Sequence, residues 1–131
     1  MKIVVATCNK GKLKEIKEIF SEYEIISNKE AGFNIDIDED AETFEGNALK
    51  KATAIAEVSG EICLGDDSGI MIDCFDGWPG VKTARWMDGT DRDKNIKIIK
   101  KMKGVPRKQR TIHWVTAIAI VDKEGHSYVG K

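Results

Sequence analysis

The chain has 131 residues, of which 41% are hydrophobic and 33% are charged, and its formal net charge is -1. This length suits a single domain with one core, and the absence of a basic excess argues against a nucleic-acid or membrane surface, so any anion site must be local. No apolar run approaches the ~20 residues that span a bilayer, and the three widely spaced cysteines lack a zinc-binding pattern, so we predict reduced thiols in a cytoplasmic protein.

The first half of the chain predicts two strands and two helices. Lys2–Ala6 is a β-branched apolar run typical of a buried strand, and a helical period follows from Gly11. A second strand is predicted at Glu24–Ser27, and isoleucines then alternate with aspartates over residues 35–38. A helix is predicted from Thr43 to Val58, with its apolar side chains on one face.

The second half predicts four strands and one long helix. Strands at Ile62–Gly65 and Ile70–Asp73 flank residues 66–69, which read as a turn bearing two carboxylates. Thr90 and Asp93 resemble a capping box that opens a helix whose apolar period is Ile96, Ile99 and Met102. The longest strand is predicted at Thr111–Val121, central and covered on both faces from Val115, and the last at His126–Val129.

The turn between the first strand and the first helix carries a possible anion site. Thr7, Asn9 and Lys12 surround Gly11 there, and free N–H groups at a helix start together with a hydroxyl, an amide and a lysine suit phosphate. The alternative is an ordinary tight turn and helix cap, for which the same residues are favoured.

Two polar residues fall on the apolar face of the second helix. Asn47 and Lys51 are four residues apart, and such departures from an apolar stripe are expected at functional sites. The alternative is a lysine whose amine reaches past the stripe to water.

Carboxylates concentrate in two places. Asp66 and Asp67 lie between apolar strands, where burial would be costly without a compensating cation or hydrogen bonds. Carboxylates that converge from separate segments suit Mg2+ and could supply a general base. The other acids precede the second helix, where for most of them solvation of the surface is the better account: Asp36, Asp38, Glu39, Asp40, Glu42 and Glu45.

The remaining conspicuous side chains are predicted to be structural. We interpret the tryptophans as core or interface residues, and the histidines lack a nearby ligand pattern for a metal or proton-transfer role. These residues are Trp78, Trp86, Trp114, His113 and His126.

Three segments, in order and spacing, resemble the inosine/xanthosine triphosphate pyrophosphatase family, also called HAM1-like. They are residues 6–12, with sequence ATCNKGK, residues 43–52, with sequence TFEGNALKKA, and residues 66–69, with sequence DDSG, followed by Pro79-Gly80-Val81 and Ala84-Arg85. The resemblance spans essentially the whole chain. It implies an α/β fold with a mixed, twisted sheet and flanking helices, formed here by one domain over residues 1–131.

The resemblance also implies an activity and the residues that perform it. The activity is hydrolysis of a non-standard purine nucleoside triphosphate, such as ITP, dITP or XTP, to the monophosphate and pyrophosphate. The implied substrate-binding residues are Thr7, Asn9, Lys10, Gly11, Lys12, Lys51 and Ser68. The implied Mg2+ ligands are Glu39 and Asp67, with Asp67 also the catalytic base, and Asp66 is either a further Mg2+ ligand or a supporting acid. The role of Arg85 is open between phosphate binding and bracing of its loop.

The chain departs from the family pattern in two respects. Ala41 replaces a usual glycine, and the family's Phe-Gly-Tyr-Asp-Pro-like and Ser-His-Arg segments do not occur, so we expect a fold that lacks the family's C-terminal segment. Family members usually form homodimers, and an exposed sheet would favour self-association further. The alternative function is a catalytically weak nucleotide-binding or oligomerisation module of the same fold.

Overall fold

The computed structural model describes residues 1–131 and contains five strands, three α-helices and three short 3-10 turns. The strands are β1 (Lys2–Ala6), β2 (Glu24–Ser27), β3 (Ile62–Ile72), β4 (Ile112–Val121) and β5 (Ser127–Gly130). The α-helices are α1 (Lys10–Ile19), α2 (Phe44–Ser59) and α3 (Asp91–Lys101), and the 3-10 turns cover Asp73–Phe75, Gly80–Lys82 and Arg107–Gln109. None of the helices has the length and apolar character needed to cross a membrane.

The strands form one sheet in the order β2-β1-β3-β4-β5. β1 pairs in parallel with β2 and with β3, where Ala6 lies opposite Gly65. β4 and β5 pair antiparallel, with Ile120 opposite Tyr128. The sheet is therefore mixed, as the sequence predicted.

Alternate residues of β1 enter two separate cores, because successive side chains of a strand point to opposite faces. Ile3 and Val5 pack in one core with Ile16 of α1. Val4 packs in the other core with Ile55 of α2. α1 and α2 therefore pack on opposite faces of β1, which confirms the α/β class.

The chain divides into two compact units, Met1–Asp67 with Thr116–Lys131 and Ser68–Val115. The first unit contains both cores around β1. The second has its own core of Ile72, Ile98 and Met102, against which Ile70, Cys74, Phe75, Trp78 and Trp86 pack. The single domain over residues 1–131 stays a prediction.

β3 differs from the prediction of two strands around a turn. It runs without interruption from Ile62 to Ile72, so Asp66 and Asp67 lie within a strand. The last register pair with β1 is at Gly65, and both carboxylates therefore follow the point where β1 ends. Two acids followed by Ser-Gly have the composition of a turn, which is why the sequence pattern was misleading here.

Two apolar patterns were also assigned incorrectly. Of the apolar period predicted for α3, the C-cap Met102 is buried as expected, whereas Ile96 and Ile99 are 42% and 63% exposed and Ile98 is buried in their place. β4 is an interior strand of the sheet as predicted, but it is not covered on both faces, because Ile118 is 39% exposed while its neighbour Ala119 is fully buried. The alternating segment at residues 35–38 forms no strand.

Candidate active site

The loop after β1 is organised by the cap of α1. Asn9 is the N-cap, and its side-chain oxygen accepts hydrogen bonds from the backbone N–H groups of Gly11 and Lys12 at 2.9 and 3.2 Å. The Thr7 hydroxyl oxygen accepts from the Asn9 N–H at 3.1 Å. Two of the N–H groups that the sequence offered to an anion are thus already bonded, so the capping alternative is confirmed for Asn9 in this conformation.

Lys12 reaches across the sheet edge to Asp66. Its Nζ lies 2.5 Å from Asp66 Oδ2, although the two residues are 54 positions apart. The Asp66 side chain is 7% exposed and that of Lys12 is 32% exposed. Because a buried carboxylate is costly unless it is paired, this ion pair explains how the chain tolerates Asp66 inside the strand.

Lys51, on α2, is a second cation that contacts β3 at Asp66. Its Nζ donates to the backbone carbonyl oxygen of Asp66 at 2.9 Å and forms an ion pair with the Glu39 carboxylate. The Lys51 side chain is only 19% exposed, so its amine is bonded within the site and does not simply extend to water.

Gly65 explains why Lys51 meets β3 so closely. A Cβ built on Gly65 would lie 2.8 Å from the Ala52 nitrogen and nearer still to the Ala48 carbonyl oxygen. The backbone of α2 therefore packs directly on the strand with no room for a side chain between them. This contact brings Lys51 to the residue that follows Gly65.

Asn47 is a site residue that the sequence singled out without assigning it a role. It is fully buried; its Oδ1 accepts from the Ala41 N–H at 2.9 Å and its Nδ2 donates to Asp67 Oδ2 at 3.1 Å. The signal that pointed to it was an amide on the apolar face of a helix, one turn before Lys51.

Two neighbouring cavities lie around the loop after β1. Thr7, Glu39 and Lys51 line a cavity of about 320 Å³. Thr7, Asn9 and Lys10 line a second cavity of about 350 Å³. Asn28 lines both; its Nδ2 donates to the Phe33 carbonyl oxygen at 2.9 Å, whereas its buried Oδ1 has no partner. No pattern in the sequence pointed to Asn28.

The remaining predicted residues are Ser68, Arg85 and the acids before α2. Ser68 follows Asp67 in β3, and the Arg85 backbone N–H donates to the Lys82 carbonyl oxygen, which leaves the role of the Arg85 side chain open. Asp40 pairs with Lys50 at the surface, as expected for an acid that mainly solvates the segment.

The aromatic residues and histidines differ in part from their predictions. Trp78 and Trp86 pack edge to face within a core, as predicted, with their ring centroids 4.8 Å apart. Trp114, in contrast, is 71% exposed. His126 has carboxylates close by, because its ring nitrogen and one oxygen each of Asp122 and Glu124 lie within 4.8 Å of one another. The prediction that His126 lacks a nearby ligand pattern was therefore wrong.

Comparison with known proteins identifies relatives over the whole chain. A family model described as the Ham1 family matches residues 3–131. The chain is 39% identical to the dITP/XTP pyrophosphatase of Desulforamulus reducens, over 100% of this chain and 67% of that protein. It is 40% identical to the dITP/XTP pyrophosphatase of Bacillus subtilis, over 89% of this chain and 61% of that protein.

Solved structures give the same result for the fold. The Ham1 protein of Staphylococcus aureus matches with a TM-score of 0.88 and 29% identity, over 98% of this chain and 67% of that one. A nucleoside-triphosphatase (dITP/XTP pyrophosphatase) from Mycobacterium abscessus matches with a TM-score of 0.85 and 32% identity, over 99% of this chain and 70% of that one. The chain thus spans about two thirds of the length of the proteins it matches.

Proposed function

The chain belongs to the Ham1 family, and we propose that it hydrolyses the α-β phosphoanhydride of non-standard purine nucleoside triphosphates. The substrates are ITP, dITP or XTP, and the products are the monophosphate and pyrophosphate. The names of the relatives, dITP/XTP pyrophosphatases, support this activity. The observation that carries the proposal is a connected set of carboxylates and lysines, drawn from four separate segments, beside the end of β1.

The composition of that set fits a divalent cation. Glu39, Asp66 and Asp67 offer only oxygen ligands, which Mg2+ prefers to sulfur or nitrogen. Lys12 and Lys51 supply two positive charges against three negative ones, so the set carries a net charge of about -1 when all five groups are ionised. Glu39, Asp67 and Asp66 are therefore the proposed ligands, and Mg2+, when bound, neutralises charge on the phosphate oxygens.

Two lysines and the loop after β1 are proposed to bind the triphosphate. Lys12 forms an ion pair with Asp66, and Lys51 forms one with Glu39. A bound triphosphate would offer each lysine a phosphate oxygen, and the carboxylates would then hold the cation. Residues 7–12 contribute Thr7, Asn9, Lys10 and Gly11 around the phosphates, and Ser68 contributes its hydroxyl.

Asp67 is the proposed general base. Its carboxylate takes the proton of the attacking water as the water's oxygen forms a bond to phosphorus and the pyrophosphate leaves. The hydrogen bond from Asn47 fixes one carboxylate oxygen in a known direction. Orientation of the base is a condition for this chemistry, because phosphoryl transfer depends mainly on positioning and charge.

A pyrophosphate-release assay tests the proposal. The chain is incubated with Mg2+ and ITP, XTP, ATP or GTP, and compared with its Asp67→Asn variant. We expect release with ITP and XTP, and a fall of about 10³-fold in the variant. Asp40→Asn, at an exposed acid paired with Lys50, is the control and should keep the wild-type rate. No release from any nucleotide, or an unchanged rate in Asp67→Asn, would refute the proposal.

We also propose a homodimer in the cytoplasm. Ile118 and Tyr128 are 39% and 62% exposed on β4 and β5, and such apolar side chains favour self-association. The three cysteines are free thiols, which agrees with a reducing compartment. Sedimentation equilibrium tests the first part, and a single monomeric species at every concentration would contradict it.

A further inference from the structure

Asn47 connects two segments that are far apart in the sequence. Its side chain accepts from the backbone of Ala41 and donates to the carboxylate of Asp67, at 2.9 and 3.1 Å. Ala41 is two residues from Glu39, and Asp67 lies on β3. One side chain on α2 therefore joins the segment that carries Glu39 to the strand that carries Asp67.

The orientation of this amide is not ambiguous. The Ala41 N–H can only donate, so it requires the amide oxygen, and the ionised Asp67 carboxylate can only accept, so it requires the amide nitrogen. Turning the amide over would replace both hydrogen bonds with like-against-like contacts. Because Asn47 is fully buried, water cannot replace either partner.

The segment next to Asn47 is also held against the helix by packing. A Cβ built on Gly46 would lie 2.9 Å from the Ala41 Cβ and 3.0 Å from the Thr43 hydroxyl oxygen. The Thr43 hydroxyl in turn accepts from the Gly46 N–H at 3.0 Å and caps α2. The Ala41 backbone therefore has little freedom relative to α2, and movement of Asn47 would be transmitted to it.

We propose that Asn47 is a positioning residue that sets the separation of the Glu39 and Asp67 carboxylates and thereby the affinity of the site for a divalent cation. This inference rests on the proposed function, which makes these two carboxylates metal ligands. Partners that orient metal ligands typically change metal affinity or activity by about 10- to 100-fold when they are removed.

A purely structural role makes a different prediction. If Asn47 only satisfied the Ala41 N–H and filled the core, its loss would lower the thermal stability of the protein. The folded fraction would then bind the cation as the wild type does. Affinity measured on folded protein without nucleotide therefore separates the two roles.

The experiment measures Mn2+ binding by calorimetry, without nucleotide, for wild type, Asn47→Leu and Asn47→Ala. Asn47→Leu keeps the branched shape of the side chain, although leucine is larger, and removes both hydrogen bonds; Asn47→Ala serves if leucine prevents folding. Ser59→Ala is the control, because it removes the hydrogen bond that another α2 side chain accepts from the Glu61 N–H at 3.2 Å, at a residue that lines neither cavity. Melting temperatures are recorded for all variants.

We expect the affinity of the Asn47 variants for Mn2+ to be about 10- to 100-fold weaker than that of the wild type, with no such change in Ser59→Ala. Equal affinity in wild type and folded Asn47 variants would overturn the inference, as would a wild type that binds no Mn2+. Failure of the proposed function is separate, because it appears as absence of pyrophosphate release from the wild type.

Discussion

Gly65→Ala tests whether close contact between α2 and β3 holds the site together. The added Cβ would lie 2.8 Å from the Ala52 nitrogen, 3.2 Å from the Lys51 Cβ and closest to the Ala48 carbonyl oxygen. Carbon atoms approach backbone oxygens to about 3.3 Å, so relief of the contact with the Ala48 oxygen requires the helix to move away from the strand by about 1 Å. The two atoms nearest to the new Cβ, the Ala48 oxygen and the Ala52 nitrogen, belong to the backbone. Rotation of a side chain therefore cannot relieve the clash.

The cost follows from this geometry. Overpacking a core costs about 1–3 kcal/mol, and we expect about 3 kcal/mol here because a whole helix must shift. With a urea m value of about 2 kcal/mol/M, the midpoint of unfolding falls by about 1.5 M. The same shift moves Lys51 away from Asp66, so activity should fall even under conditions where the variant is folded.

Urea unfolding followed by tryptophan fluorescence measures the effect. Gly130→Ala is the matched control, because it makes the same change in a strand where a Cβ meets no atom within 4 Å. We expect Gly130→Ala to stay within about 0.5 kcal/mol of wild type. A Gly65→Ala variant equally close to wild type would refute the idea that α2 packs on bare backbone at this position.

Three further predictions concern charge and thiol chemistry. Lys12→Met should lower the free energy of unfolding by about 2 kcal/mol, because it leaves the buried Asp66 carboxylate without its lysine. Adding Asp66→Asn should recover most of this loss in a double-mutant cycle. A Lys12→Met variant as stable as the wild type would contradict the pairing. Cys8 is exposed, whereas burial raises the pKa of the Cys63 thiol, so iodoacetamide should modify Cys8 first and reach Cys63 only on unfolding, as read by peptide mass mapping. The Thr90 backbone N–H donates to the Asp93 carboxylate and lowers the pKa of that group from 3.8. The ionised carboxylate therefore stabilises α3 fully above pH 3.8, and this stabilisation is lost as the pH falls through the lowered pKa. The Tm difference between wild type and Asp93→Asn should vanish in acid.

Local signals in the sequence predicted most of the regular elements. β2 has the predicted bounds, and α2 begins one residue after its predicted start at Thr43, which is its N-cap. The capping box at Thr90 is present with both of its hydrogen bonds. These features depend on residues within a few positions of one another, which is the range over which spacing and propensity operate.

Contacts between distant segments could not be predicted in the same way. The pairing of Lys12 with Asp66 joins residues 54 positions apart, and no local pattern specifies it. The absence of a side chain at Gly65 became meaningful only when α2 was found against it. The sequence singled out the residues of the site, whereas only the fold shows which of their side chains contact one another.

The lysine–carboxylate pairs have a consequence for which ligands the site should accept. An isolated anion such as inorganic phosphate could recruit Lys12 only by removing the counter-ion of the buried Asp66 carboxylate. A polyphosphate bound together with a cation would avoid that cost, because Asp66 and Glu39 would then hold the cation while the lysines held phosphate oxygens. We therefore expect the site to discriminate against free inorganic phosphate before any recognition of the purine begins.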